Sequence, residues 1–328
     1  MKLLTNAILV AAMFAAVSCG SGAASAAGAD TTAQDEALPA FDGNAAFADV
    51  RTQVEFGPRV PGSAAHANCA AWIDSTLRTA CADTVIVQTA TVDDHRGGTM
   101  PVRNILGRFN AGATKRILLL AHYDTRPWAD EDPDPANHKK PIDGANDGGS
   151  GVAVLTQLAR HFAKNPLPEG LGVDLLFADS EDSGTENLDE SWCLGTQYFA
   201  QHLPYQPGKL PKAAILLDMV GGKGAVFPRE YFSQARARAL TESVWKVAAD
   251  AGQSTRFPSR VGGAVNDDHV PLLDAGIPAV DIIEIGHPAT NSFNPTWHTM
   301  ADNIDNIDPA TLAAVGNVVV RFVYKFQP

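Results

Sequence analysis

Cationic side chains are scarce: 25 Lys and Arg stand against 37 Asp and Glu, a formal charge of −12. That deficit argues against nucleic acid or an anionic membrane surface as a partner. Cysteine is scarce too, four in 328 residues, and no CxxC pair exists to hold a metal through thiolates. The one marked apolar run near the start, Ala7 to Val17, is too short to span a membrane stably. No internal repeat is visible, and no linker divides the chain after Phe41. A chain of this length holds one large α/β domain or two ordinary ones.

The start of the chain reads as a targeting segment. Lys2 supplies a positive end, the apolar core follows, and Ala16, Val17 and Ser18 precede Cys19. Small residues before a cysteine resemble a bacterial lipoprotein box. The resemblance implies cleavage before Cys19, a lipid on its thiol, and anchoring at the periplasmic side of a bacterial cell envelope. An ordinary secretory cut within residues 23–27 is the alternative. The expected layout is a signal peptide over 1–18, a flexible tether rich in Ala, Gly and Ser over 19–40, and a single α/β domain over 41–328. Three cysteines then remain, so at least one is free. Cys69 and Cys81 bracket a helix and either pair or stay buried thiols.

From Phe41 the pattern alternates. Helices are predicted over 44–54, 64–79, 150–164, 195–202, 231–251 and 309–325, with a short one from the Asn266-Asp267-Asp268-His269 run to Gly276. Strands are predicted over 84–92, 100–109, 116–121, 172–179, 212–217 and 278–285. This order predicts a three-layer α/β fold, a mostly parallel central sheet with helices on both faces.

The chemistry-bearing residues sit where strands end. His122 and Asp124 close one strand. Glu181 and Asp182 close the next, Asp218 a third, and Asp267 and Asp268 open a helix. Asp147 lies in the turn GANDGGSG just before a helix, and His298 lies in a loop. Each alone has an ordinary explanation: an Asp there caps a helix, a loop His is solvated. Together they are hard to read as caps. Ligands of an open α/β sheet collect outside the carboxyl ends of its strands, and crowded carboxylates repel unless a cation neutralises them.

HYDT, GANDGGSG, the Glu181-Asp182 pair, LLDMVG and WHTMADN, with FGPRVPGS near the start, resemble the zinc-dependent aminopeptidase-like exopeptidases. They are most similar to the glutaminyl cyclases of that fold, in the bacterial form related to the animal enzymes. The resemblance runs from Phe41 to the C-terminus. It implies one zinc ion per chain on Asp147, Asp182 and His298, Asp182 standing where many relatives carry Glu. It also implies that Glu181 shuttles a proton, that Asp218 contacts the leaving amide nitrogen, and that Asp267 belongs to the same hydrogen-bond network. Trp192, Phe293 and Trp297 would line the substrate pocket. The implied substrates are peptides or proteins with N-terminal glutamine. Two departures stand out. Asp281 occupies a fourth-strand position where animal cyclases have His, which puts like charges opposite Asp267. Residues 284–292 form an insertion.

The competing reading is a di-zinc aminopeptidase. His122, Asp147 as a bridge, Asp182, Asp218 and His298 are all present for it, so a second zinc through His122 and Asp218 is not excluded. The aromatic mouth and the Asp267–Pro271 segment favour the cyclase. A non-catalytic binding protein on the same scaffold would lack Glu181.

Overall fold

A computed structural model describes residues 38–327. The predicted signal peptide, Cys19 and all but the end of the tether lie outside them. Among the described residues no helix is long and apolar enough to cross a membrane.

Two helices open the fold, α1 (Gly43–Glu55) and α2 (Ala64–Thr79), started by the side chains of Asp42 and Ser63. Three strands follow: β1 (Thr84–Asp93), β2 (Thr99–Phe109) and β3 (Lys115–His122). Then come α3 (Gly149–Lys164), β4 (Leu171–Ala178), α4 (Leu194–Gln201) and β5 (Ala213–Asp218). The chain closes with α5 (Tyr231–Arg236), α6 (Arg238–Asp250), α7 (His269–Asp274), β6 (Ala279–Ile283) and α8 (Pro309–Lys325). The six strands form one sheet in the order β1-β2-β4-β3-β5-β6. β3, β4, β5 and β6 pair in parallel, and β2 alone runs against the rest.

Burial follows position in the sheet. Edge strand β1 alternates between exposed and half-buried residues, while β4, β5 and β6 are buried at every position. One face carries Leu118, Leu120, Leu176 and Leu216 against Phe199 of α4 and Leu272 of α7. α3 lies on the other face so closely that a Cβ at Gly151 would run into the Leu217 carbonyl and stand 2.8 Å from Ala121 Cβ. α1 and α8 pack over α3. The Asp in the otherwise apolar β4, Asp174, is paired with Arg116 near the opposite end of the strands from the site.

Two expectations need correcting. The predicted helix 231–251 is two helices, broken at Ala237 (φ −130°, ψ 40°). Neither Gly nor Pro marks the break. The Thr241 hydroxyl donates to the Ser233 and Ala237 carbonyls, which also accept the Ala237 and Thr241 N–H groups, so hydrogen bonds run through the break. Cys69 and Cys81 are not joined, and Cys81 is exposed, because it follows the end of α2 in a left-handed turn (φ 57°) while Cys69 sits on the buried helix face.

Candidate functional site

The carboxyl ends of β3, β4 and β5 place His122, then Glu181 and Asp182, then Asp218 at one edge of the sheet. Asp147 arrives on the turn into α3. The helix cap is Gly148 (φ 77°), whose backbone a side chain would crowd against the Asp124 carbonyl, and the Asp147 carboxylate makes no capping bond. The ordinary reading of Asp147 as a cap therefore fails, and its carboxylate is available to a ligand. His298 comes from the loop before α8, in a left-handed conformation (φ 54°). Ser180 before Glu181, Cys193 after Trp192 and Met219 after Asp218 are left-handed as well. Strain of this kind is retained where surrounding contacts over-determine the backbone.

Asp147, Asp182 and His298 converge. His298 Nε2 is 3.1 Å from Asp182 Oδ1 and 3.6 Å from Asp147 Oδ2. All three residues are buried, and neither Asp182 oxygen has a hydrogen-bond donor. Burial pushes Asp182 up to about 7, opposed by Arg126 and His122 and reinforced by Asp124 and Asp218. Burial also drives His298 down to about 3, which keeps its imidazole neutral. Two buried carboxylates, that of Asp182 with no donor, beside a neutral imidazole and facing a cavity are the donor set of an open zinc site. The residues fit the ion that the sequence implies.

A second group shares Asp147. His122 Nε2 lies 3.1 Å from Asp147 Oδ1 and 3.2 Å from Asp218 Oδ1. The arrangement thus also contains the bridging pattern of a two-metal site.

Glu181 lies on the cavity side of the metal group, with Cys193 Sγ 3.5 Å from its Oε1. Glu181 and Asp267 bring ligand atoms within 4.8 Å of each other. Burial holds the Glu181 carboxyl well above its usual range; His122 opposes this, and Asp182, Asp267 and Asp268 add to it. Asp267 is raised by burial and by Asp218 and Asp268. Asp281 is fully buried with both oxygens unpartnered, raised by burial and then by Asp267, Glu230 and Asp218. His269 Nδ1 is 3.8 Å from Asp281 and its Nε2 is 3.1 Å from Glu230, so an imidazole stands beside the expected like-charge pair.

The cavity above has a volume of about 260 Å³. Trp192, Phe293 and Trp297 line it with Met219, Val265 and Ile283. Trp297 stacks on His298 at 3.7 Å between centroids and meets Phe293 at 4.6 Å. The carboxylates of Asp147, Glu181, Asp182, Asp218 and Asp267, His298 and the three rings all line this cavity, while Asp124, Asp268 and Asp281 lie outside its lining.

Four supports escaped the sequence reading as functional. Asp302 accepts the Asn146 and Asp147 N–H groups at 2.8 and 3.0 Å. Arg59 donates to the Tyr123, Asp143 and Gly144 carbonyls. Asp124, given a strand-end place but no task by the sequence, accepts the Glu181 and Asp182 N–H groups, both at 3.1 Å. Asp302 does the same for Asp147. Arg126 clamps Asp130 through two hydrogen bonds and donates to the Asp182 and Gly184 carbonyls. Its guanidinium also lies 4.9 Å from the Trp192 ring, and Asp130 stands 3.6 Å from His298 Nδ1. Arg59 and Asp302 fall within the motifs FGPRVPGS and WHTMADN, which was the available signal. Arg126 and Asp130 had none beyond closeness to HYDT.

This fold and this buried group of two Asp and one His define a zinc exopeptidase-like protein. The profile of Peptidase family M28 matches residues 104–323, and the chain belongs to that family. A glutaminyl cyclase from Porphyromonas gingivalis is 46% identical, with a TM-score of 0.82 over 86% of this chain and 97% of that one. A leucine aminopeptidase precursor from Bacteroides thetaiotaomicron is 41% identical, with a TM-score of 0.83 over 88% and 99%. Glutaminyl-peptide cyclotransferase from Boiga irregularis is 25% identical over 269 residues, 74% of this chain and 70% of the relative.

Proposed function

We propose that the protein is a glutaminyl-peptide cyclotransferase. It would convert the N-terminal glutamine of peptides and proteins to pyroglutamate and release ammonia, with one zinc ion held by Asp147, Asp182 and His298. The observation that carries this reading is the site's shape. The Asp/Asp/His group opens into a small cavity lined by three aromatic rings, with Glu181 and Asp267 on its wall. Such a cavity takes one flexible amide side chain and folds it back toward its own amine.

The zinc would polarise the γ-carbonyl as a Lewis acid. The α-amine nitrogen bonds to the γ-carbonyl carbon, and the bond to the amide nitrogen breaks. Glu181 takes the proton from the amine and returns it to the departing nitrogen, which leaves as ammonia. Asp218 and Asp267 orient that nitrogen. Trp192, Phe293 and Trp297 exclude water, which would otherwise hydrolyse the amide to glutamate.

The His122–Asp147–Asp218 group favours a second reading, a di-zinc aminopeptidase. One experiment separates the two: incubation with a Gln-initiated peptide and with leucine anilide, alongside zinc analysis. Ammonia from the first substrate, no cleavage of the second and about one zinc per chain support the cyclase. Cleavage of the anilide with two zincs sinks it. The lipoprotein-like start supports a lipid anchor at Cys19 and a periplasmic location. Membrane release of a Cys19→Ala variant tests that.

A further inference from the structure

A second cavity, of about 480 Å³, adjoins the first; Asp189, Trp192 and Asn266 line both. A glutamine seated in the aromatic pocket is bonded through its carbonyl to the rest of its peptide. The second cavity, continuous with that pocket along Asp189, Trp192 and Asn266, offers that chain a way out. The larger cavity offers apolar contact from Val270 and Pro271, and charge from Asp189, Glu190 and Asp274. Its lining holds no Lys or Arg. Asp274 is balanced by Arg236 at 2.6 Å, while Asp189 and Glu190 enter no ion pair among the described residues.

The segment carrying these two carboxylates is built to stay in place. Gln197 Nε2 donates to the Glu190 and Trp192 carbonyls at 3.0 and 2.8 Å. Asn266 Nδ2 reaches across to the Asp189 carbonyl at 3.1 Å. A groove wall held by such bonds loses little freedom when a chain settles against it. Its uncompensated negative charge attracts cationic side chains and repels acidic ones.

We propose that this cavity receives the residues following the N-terminal glutamine and selects peptides with Lys or Arg there. The inference rests on the cyclase reading. Three peptides test it with the intact protein at low ionic strength: one starting Gln-Ala-Ala, one Gln-Lys-Lys and one Gln-Glu-Glu. Ammonia release should rank Lys above Ala above Glu, with about a fivefold span in kcat/KM carried by KM, as expected for partly solvated charge pairs. About 0.5 M salt should shrink the span. In Glu190→Lys the Lys-to-Glu ratio should fall to one or below. Equal rates for the three peptides, or an unchanged ratio in Glu190→Lys, would overturn the groove assignment and leave the cyclase reading intact. No ammonia from any of the three would bring down the cyclase reading, and this inference with it.

Discussion

Glu181 and Asp182 are adjacent in sequence yet have different tasks. Asp124 grips both of their N–H groups, while the side chains part, Asp182 toward His298 and Glu181 toward Asp267. Glu181→Gln keeps shape and volume but cannot carry a proton. It should lower kcat by about 10²–10⁴-fold with zinc content unchanged; turnover close to that of the parent would remove Glu181 from its role. Arg126 acts through others. Arg126→Ala leaves the Asp130 carboxylate and two carbonyls without a donor and takes the cation from the Trp192 ring. Zinc affinity or activity should drop about 10- to 100-fold, read by chelator competition as well as by kinetics. Arg126→Lys should recover only part of this, since an ammonium cannot bond Asp130 through a planar fork.

At the scale of elements, α3 carries the site because it can lie directly on β3 and β5. Gly151→Val puts side-chain atoms where the Leu217 carbonyl and Ala121 already are. A loss of about 1–3 kcal/mol in urea unfolding is expected, and zinc binding should weaken because Asp147 rides on the same turn. The far end of α3 has a different sensitivity. His161 is buried against Phe162 and Tyr324 with Nε2 unpartnered, and burial lowers its pKa below 6.5. The folded state therefore favours the neutral ring. That preference costs nothing above pH 6.5, and stability is lost as pH falls from there through the folded value. His161→Leu should show a smaller drop in urea midpoint between about pH 7.5 and pH 5.5 than the parent; an equal drop would assign the acid sensitivity elsewhere.

At the scale of the whole molecule, the fold concentrates buried carboxylates at one edge of the sheet. Burial raises Asp182, Glu181, Asp218, Asp267 and Asp281 above their ordinary values. A cation relieves that repulsion only in the folded chain, so it stabilises folding by mass action. Chelation should lower Tm, and zinc at about 100 times its Kd should restore about 2.7 kcal/mol. A Tm indifferent to chelator would argue that Asp147, Asp182 and His298 do not hold the ion.

The sequence by itself determined much of this. Fully apolar runs such as 117–121 announced buried parallel strands, because only a sheet covered on both faces hides every side chain. The acidic and imidazole residues at the strand ends announced a cation site, since carboxylates so placed repel without one. The break at Ala237 carried no Gly or Pro signal, and the Thr241 hydroxyl bonds that span it form only once the chain has turned there. Cys69 and Cys81 carried no sign of their separation, because it depends on which way the chain turns after α2. Arg126 and Asp130 were silent because, apart from each other, the groups they meet lie across the fold. Only the tertiary structure decided that Asp147 leaves its helix uncapped to face His298, and that Trp192 divides one cavity from another. Distances between residues far apart in the chain follow from packing, and local pattern does not encode them.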